Sequence, residues 1–456
     1  MSRLTWVQPP DLLAHELVAS AADGKPIDDV RRRWEAAGGD LVAPVNGLAH
    51  EGDEALRRLA DALLDELDSR PVAPEVAALE PDDLVAIERL WTATPAPAAY
   101  SSIDLADRIL GGWTGRCAGC LLGKPVEKIP RVGIREILQS QGRWPLTDWF
   151  TERGLPVEVA VRWPWNRRSR PTSLAENIAG MPEDDDLNFA MMALALLEQH
   201  GRGFTTEDVA EQWLGNLPGG RVFTAERVAY RNLLLGDVAP ATATRHNPFR
   251  EWIGAFIRTD VYGWVNPGDP VEAARLAWRD ARLSHVRNGV YGAMSVAAMC
   301  ARAVAVEGND RPAAIEAIIE AGLAVVPPGS RYAEALTYGA GLGRSGEPTE
   351  AALDRLHERY GRLHWVHVLN NAALTSYALV SSRGEFGPAI ATAVMGGWDT
   401  DSVGATVGSI CGALAGARAL PEQWVAPLQN RIASSLPGFD GSAIDDLARR
   451  TCEVVA

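Results

Sequence analysis

Residues 182–187 read Pro-Glu-Asp-Asp-Asp-Leu. Glu183, Asp184, Asp185 and Asp186 stand in a row and lead directly into Asn188-Phe-Ala-Met-Met-Ala-Leu-Ala-Leu-Leu197. That second segment is apolar on nearly every side of a helix, and a helix that is apolar all round has to be buried. The acids therefore sit at the mouth of a buried helix. A helix N-terminus favours a carboxylate by about 0.3–1 kcal/mol, which does not offset the mutual repulsion of four. Solvent or a bound cation must supply the rest. Clustered carboxylate oxygens suit hard cations such as Mg²⁺ and Mn²⁺.

A second acidic stretch lies some two hundred residues on, at Met395-Gly-Gly-Trp-Asp-Thr-Asp-Ser402. Asp399, Asp401 and the Ser402 hydroxyl can converge on one cation. Behind them a helix is expected over 403–420, with Gly404, Gly408, Gly412 and Gly416 spaced four apart. A matching helix is expected over 103–122, carrying Gly111, Gly115, Gly119 and Gly123. Spacing of four puts each set on one helix face. Each glycine costs about 1 kcal/mol of helix propensity relative to Ala, so such stripes make sense where another backbone comes very close. Pairing of the two helices could bring Glu183, Asp184, Asp185, Asp399, Asp401 and Ser402 together. The first helix also delivers Glu127 just past its C-terminus.

The chain has 456 residues, 47% hydrophobic and 23% charged, which is the composition of a soluble globular protein. Ala is abundant and aromatics are few apart from 15 Trp, which favours an α-rich fold. The net charge of −15 argues against polynucleotide contact. Five cysteines are an odd number in a long chain, so no disulfide framework is expected and a reducing cytoplasm is the default. The N-terminal stretch has no apolar core fit for a signal peptide, and no charge-free run of about 20 apolar residues suggests a membrane span.

Residues 1–98 read as a separate helical extension. Leu56, Leu59, Ala60, Leu63, Leu64 and Leu67 predict a helix over 51–67. Acids outnumber bases there by 19 to 9, and the Pro/Ala stretch 93–99 marks the boundary. The extension carries no recognisable chemistry and is either a partner-binding module or a structural addition. Cys117-Ala-Gly-Cys120 reads as two small packing residues. The loop 141–173 is dense in Trp and Arg and either faces substrate or packs on its own protein. His285 and Asn288 belong to a helix start, where N–H groups welcome anions. His364-x-x-His367 lacks the acid of a zinc-protease motif.

Taken together, Gly123 to Glu127, Glu183-Asp184-Asp185-Asp186 and Gly396-Gly-Trp-Asp399-Thr-Asp401-Ser402 resemble the spaced motifs of the ADP-ribosylglycohydrolase family. The resemblance runs from about residue 104 to 420, and the stretch from His285 is similar to the family's Thr-His motif. It implies an all-α orthogonal bundle over 99–456 with two Mg²⁺ or Mn²⁺ at its centre. It implies hydrolysis of an N- or O-glycosidic bond to ribose, most simply release of ADP-ribose from a protein side chain or small molecule. A nucleoside or biosynthetic riboside, or ADP-ribose binding without catalysis, are the alternatives. Glu127, Asp184 and Asp399 would be catalytic. Glu183, Asp184, Asp185, Asp399, Asp401 and Ser402 would be ligands, with Asp186 in a neighbouring slot. Gly123, His285, Asn288 and Trp398 would contact substrate. Glu183, Asp186 and Ser402 replace the family's usual Thr, each keeping an oxygen.

Overall fold

A computed structural model describes residues 4–47, 54–306 and 310–455. The architecture is all-α. Among the described residues the only strands form a short antiparallel ribbon, Arg431–Ile432 against Ser442–Ala443.

Two helices set the frame, Ser102–Gly123 and Thr400–Ala415. They run antiparallel, backbone against backbone. A Cβ placed on Gly111, Gly115, Gly119 or Gly123 would lie 2.2, 2.1, 1.9 or 2.2 Å from the carbonyl oxygen of Gly412, Gly408, Gly404 or Thr400. The reverse holds too, with Cβ atoms on Gly404, Gly408 and Gly412 falling 2.3, 2.1 and 2.1 Å from carbonyl oxygens of the first helix. No side chain fits in this seam. The second helix ends at Ala415, earlier than its apolar run suggests. Gly416 takes a left-handed conformation, φ 78°, and stops it.

Around this pair lie the buried helices Asp185–His200, Arg287–Ala305 and Val368–Ser381. The N-terminal residues fold as helices Pro9–Ala22, Asp28–Ala36 and Glu54–Ser69, closed over Leu12, Leu13, Trp34, Leu63 and Leu64. Residues 51–53 of the expected third helix lie outside the described ones. Segment 93–99 forms no helix, and Ala98 N–H donates to Gly268 O at 2.8 Å.

The extension does not hang free. Arg250 pairs with Glu16 at 2.7 Å and with Asp23 at 2.8 Å, all three buried. Glu80 accepts from Asn288 Nδ2 at 2.7 Å and pairs with Arg331 at 2.6 Å. Trp6 and His15 join the rings of Phe249, Trp252 and His364. His364 stacks on Trp252 at 4.2 Å, and His367 accepts the Leu369 N–H to cap the next helix. Both cysteines of the CxxC are buried and free.

Gly119→Ala should destabilise the protein by about 3 kcal/mol or stop it folding, because overpacking against backbone cannot relax. Gly341→Ala is the control. That glycine is exposed within helix Arg331–Arg344 with nothing within 4 Å of its Cβ position, so alanine should stabilise by about 0.5–1 kcal/mol. Thermal unfolding of both variants checks the seam, and equal behaviour would contradict it.

Candidate carboxylate centre

The antiparallel seam sets the C-terminal end of one helix beside the N-terminal end of the other. Thr400 Oγ1 donates to Gly123 O at 2.9 Å and locks that junction. The chain leaves Gly123 through a 3₁₀ turn, Lys124–Val126, and reaches Glu127. Glu127 Oε2 accepts from Asn166 Nδ2 at 2.6 Å, so loop 141–173 holds this acid. On the facing helix, the Asp399 N–H donates to Asn371 Oδ1 at 3.3 Å.

A third helix end joins them. Asp184 is the N-cap of Asp185–His200, and its Oδ1 accepts the Asp186 N–H at 3.0 Å. Lys124 Nζ pairs with the Asp184 carboxylate and donates to Glu183 O at 3.2 Å. Arg116, wholly buried in the first glycine helix, donates through Nε and Nη2 to Asp186 O at 3.1 and 2.7 Å. Its Nη1 donates to Asp260 Oδ2 at 2.7 Å. Ser402 Oγ donates to Asp186 Oδ2 at 3.2 Å, tying the two acidic stretches directly.

The electrostatics are those of crowded acids. Burial, then the charges of Glu127 and Asp184, pushes the Asp401 carboxyl up to about 7. Burial and Asp401 raise Asp399 well above the carboxylate range, and the two carboxyls share a hydrogen bond. Asp185 is raised by burial and by Asp184, Asp401, Glu127 and Glu226. Asp186 is raised by burial and Asp184 despite Arg116. Asp184 alone moves down: burial opposes its charge, but Lys124 overrides burial.

This donor set fits a hard cation. Acids from both stretches and Glu127 face Lys124 and an arginine already shared with Asp260. Cys120, Asp184 and Asp186 bring ligand atoms within 4.8 Å of one another and could hold a metal. Burial holds the Cys120 thiol well above its ordinary range, so carboxylate oxygens are the better donors.

Asp184, Asp185, Asp399, Asp401 and Glu127 lie near enough to act on one another's charge, and Ser402 reaches the first stretch through Asp186, while among the described residues the group whose ligand atoms lie within 4.8 Å of one another is Cys120, Asp184 and Asp186. Asp186 stands beside them, accepting from Ser402 Oγ at 3.2 Å. Five other residues read from the sequence as ligands or substrate contacts are engaged elsewhere in the fold. Glu183 pairs with Arg221 at 3.2 Å and accepts from Asn188 Nδ2 at 3.4 Å, and the extended backbone at Asp184 turns successive side chains to opposite sides. Gly123 packs its Cα face on Thr400 and leaves no room for substrate. Asn288 is wholly buried, donating to Glu80 and Glu251 and accepting the Tyr332 N–H. Trp398 is 8% exposed and stacks on His357 at 4.2 Å. His285 is a buried histidine, its Nδ1 hydrogen-bonded to Ser284 Oγ at 2.8 Å and its Nε2 3.9 Å from Glu226. Sequence reading missed Lys124, Arg116, Asn166 and Asn371. Of these only Lys124 carried a signal, its place between Gly123 and Glu127. The loop's tryptophans pack on the protein, as with Trp149, whose Nε1 donates to Gln423 O at 2.8 Å, while Arg162, Arg167, Arg168 and Arg170 are exposed.

Fold and site define the class, an all-α protein with a carboxylate centre where three helix ends meet. The family model for ADP-ribosylglycohydrolase matches residues 101–456, and the chain belongs to that family. Membership supports a glycosyl hydrolase activity in general. A solved structure, an ADP-ribosylglycohydrolase-related protein complex, is similar at 21% identity over 78% of this chain and 100% of that one, with a TM-score of 0.45. At that score nothing about function follows from the likeness. No curated protein matches the chain. Among the described residues no helix is long and apolar enough to cross a membrane.

Carboxyls raised in the folded state bind more protons there than in the unfolded chain, so their contribution to stability falls as pH rises from about 4 to about 7. A divalent cation relieves the same repulsion. The gain in unfolding midpoint on adding millimolar Mg²⁺ or Mn²⁺ to the EDTA-treated protein should therefore grow between about pH 5 and pH 8. A gain that is absent, or that shrinks with pH, would rule out a cation at these acids.

Proposed function

We propose that the chain is a metal-dependent hydrolase of an N- or O-glycosidic bond to ribose, releasing ADP-ribose from a modified protein side chain or a small molecule. The supporting observation is the meeting of Asp184, Asp185 and Asp186 with Asp399, Asp401 and Ser402 beside Glu127, locked by the Ser402–Asp186 hydrogen bond. Two Mg²⁺ or Mn²⁺ would be held by these oxygens. When bound, they would bind ribose hydroxyls and lower the pKa of a water.

The remaining chemistry belongs to the chain. Glycosidic cleavage passes through an oxocarbenium-like state, and a centre rich in carboxylates stabilises the positive charge that develops there. Lys124 keeps Asp184 ionised. Glu127 stands at the rim, its side chain 20% exposed and held at Oε2 by Asn166. That position supports a role for Glu127 in taking a proton from water or giving one to the leaving group. Arg116 fixes the end of the Asp184–Asp186 turn through the Asp186 backbone oxygen, so it acts by positioning.

The test is a panel of peptides ADP-ribosylated on arginine and on serine, ADP-ribosylated small molecules and nucleosides, each with EDTA or with Mn²⁺. Asp185→Asn and Asp401→Asn should each lower metal-dependent kcat by a hundredfold or more, and Glu127→Gln by about 10²–10⁴. If no member of the panel releases a ribosyl product, or if both Asp variants keep full turnover, the proposal is wrong.

A further inference from the structure

Glu127 stands in a tight turn. Its backbone has φ −50° and ψ 130°, Lys128 follows at φ 73°, and the Ile129 N–H closes the turn on Val126 O at 2.9 Å. That is a type II turn, whose third position suits glycine better than lysine. A left-handed residue with a side chain is held at a cost in conformational energy, and such residues gather at functional sites. The half-exposed lysine side chain bears directly on the acid. Its Nζ lies 3.3 Å from Glu127 Oε1 and 5.7 Å from the centre of the Trp365 ring. Trp365 is itself braced, its Nε1 donating to Val45 O at 3.0 Å.

The other carboxylate oxygen, Oε2, accepts from Asn166 Nδ2 at 2.6 Å. Asn166 Oδ1 is already taken, because it accepts the Arg168 N–H at 3.0 Å in an Asx turn. Backbone bonds fix the residue as well. The Asn166 N–H donates to Pro125 O at 3.0 Å, and its own carbonyl accepts the Arg170 N–H at 2.9 Å. An asparagine tied in this way presents only a donor to Glu127.

We propose that Lys128 and Asn166 are positioning residues, a clamp that holds Glu127 at both carboxylate oxygens, with Trp365 and the N-terminal extension bracing the lysine. The clamp rests on the ribosyl hydrolase reading, in which Glu127 moves a proton, and supplies the fixed geometry that proton transfer needs. Val45 lies outside the matched residues 101–456, so the extension reaches the proton-transfer group by way of Trp365 and Lys128.

Two readouts test it. Asn166→Asp keeps the acceptor for the Arg168 N–H and loses the donor to Glu127. It should lower kcat about tenfold to a hundredfold with KM within about twofold. Lys128→Gly relieves the left-handed backbone, so the unfolding midpoint should hold or rise while kcat falls about threefold or more. Lys128→Arg should restore part of that rate. In a Glu127→Gln background neither change should lower the rate further, whereas residues that served folding alone would act equally in both backgrounds. The second readout needs no turnover. In protein labelled with ¹⁵N-asparagine, the side-chain amide signal of Asn166, assigned by its loss in Asn166→Asp, should shift in Glu127→Gln. A signal unmoved there, or full kcat in the variants that fold, would overturn the clamp. A shifted signal in a protein that hydrolyses none of the panel would keep the clamp and reject the hydrolase reading.

Discussion

Everything in the site depends on one contact, the backbone seam between Ser102–Gly123 and Thr400–Ala415. Glycine carbonyls take the space where side chains would stand, so the two helices sit closer than any other residue would permit. The antiparallel direction then has a chemical consequence. It delivers Lys124 and Glu127 to the same place as Asp399, Asp401 and Ser402. The Thr400 hydroxyl on Gly123 O marks where packing ends and chemistry begins.

Crowding acids in a protein interior is unfavourable, and the structure manages it at three levels. Two helix N-termini point their positive ends at the carboxylates. Lys124 neutralises Asp184, and Arg116 grips the backbone of Asp186 while spending its remaining charge on Asp260. The excess left over raises Asp185, Asp186, Asp399 and Asp401 above the ordinary carboxylate range, Asp401 to about 7, and a hard cation would relieve it.

The N-terminal helices illustrate a different use of buried charge. Glu16, Asp23 and Glu80 meet Arg250, Arg287, Asn288 and Arg331 in a network that leaves few of its polar groups open. Removing one partner from such a network leaves an uncompensated buried charge, which is strongly destabilising. The extension is thus bound to the family part by the same helix start that carries His285 and Asn288. That explains why Asn288, read from sequence as a substrate contact, is committed to structure.

The sequence by itself determined the elements and their chemistry. Period-four glycines announced close helix contact, and acids ahead of apolar runs announced a buried charged centre. Both follow from local rules that need no knowledge of partners. What only the tertiary structure decided was orientation. Glu183 and Asp184 are adjacent and equally acidic, yet an extended backbone sends one toward Arg221 and the other to Lys124. Trp398 follows two glycines and reads as a substrate contact, but it stacks on His357. Arg116, Asn166 and Asn371 lie far along the chain from the acids they hold, and nothing in their neighbouring residues reports that role. Side-chain direction and long-range partners depend on the whole packed chain, and a local pattern cannot encode them.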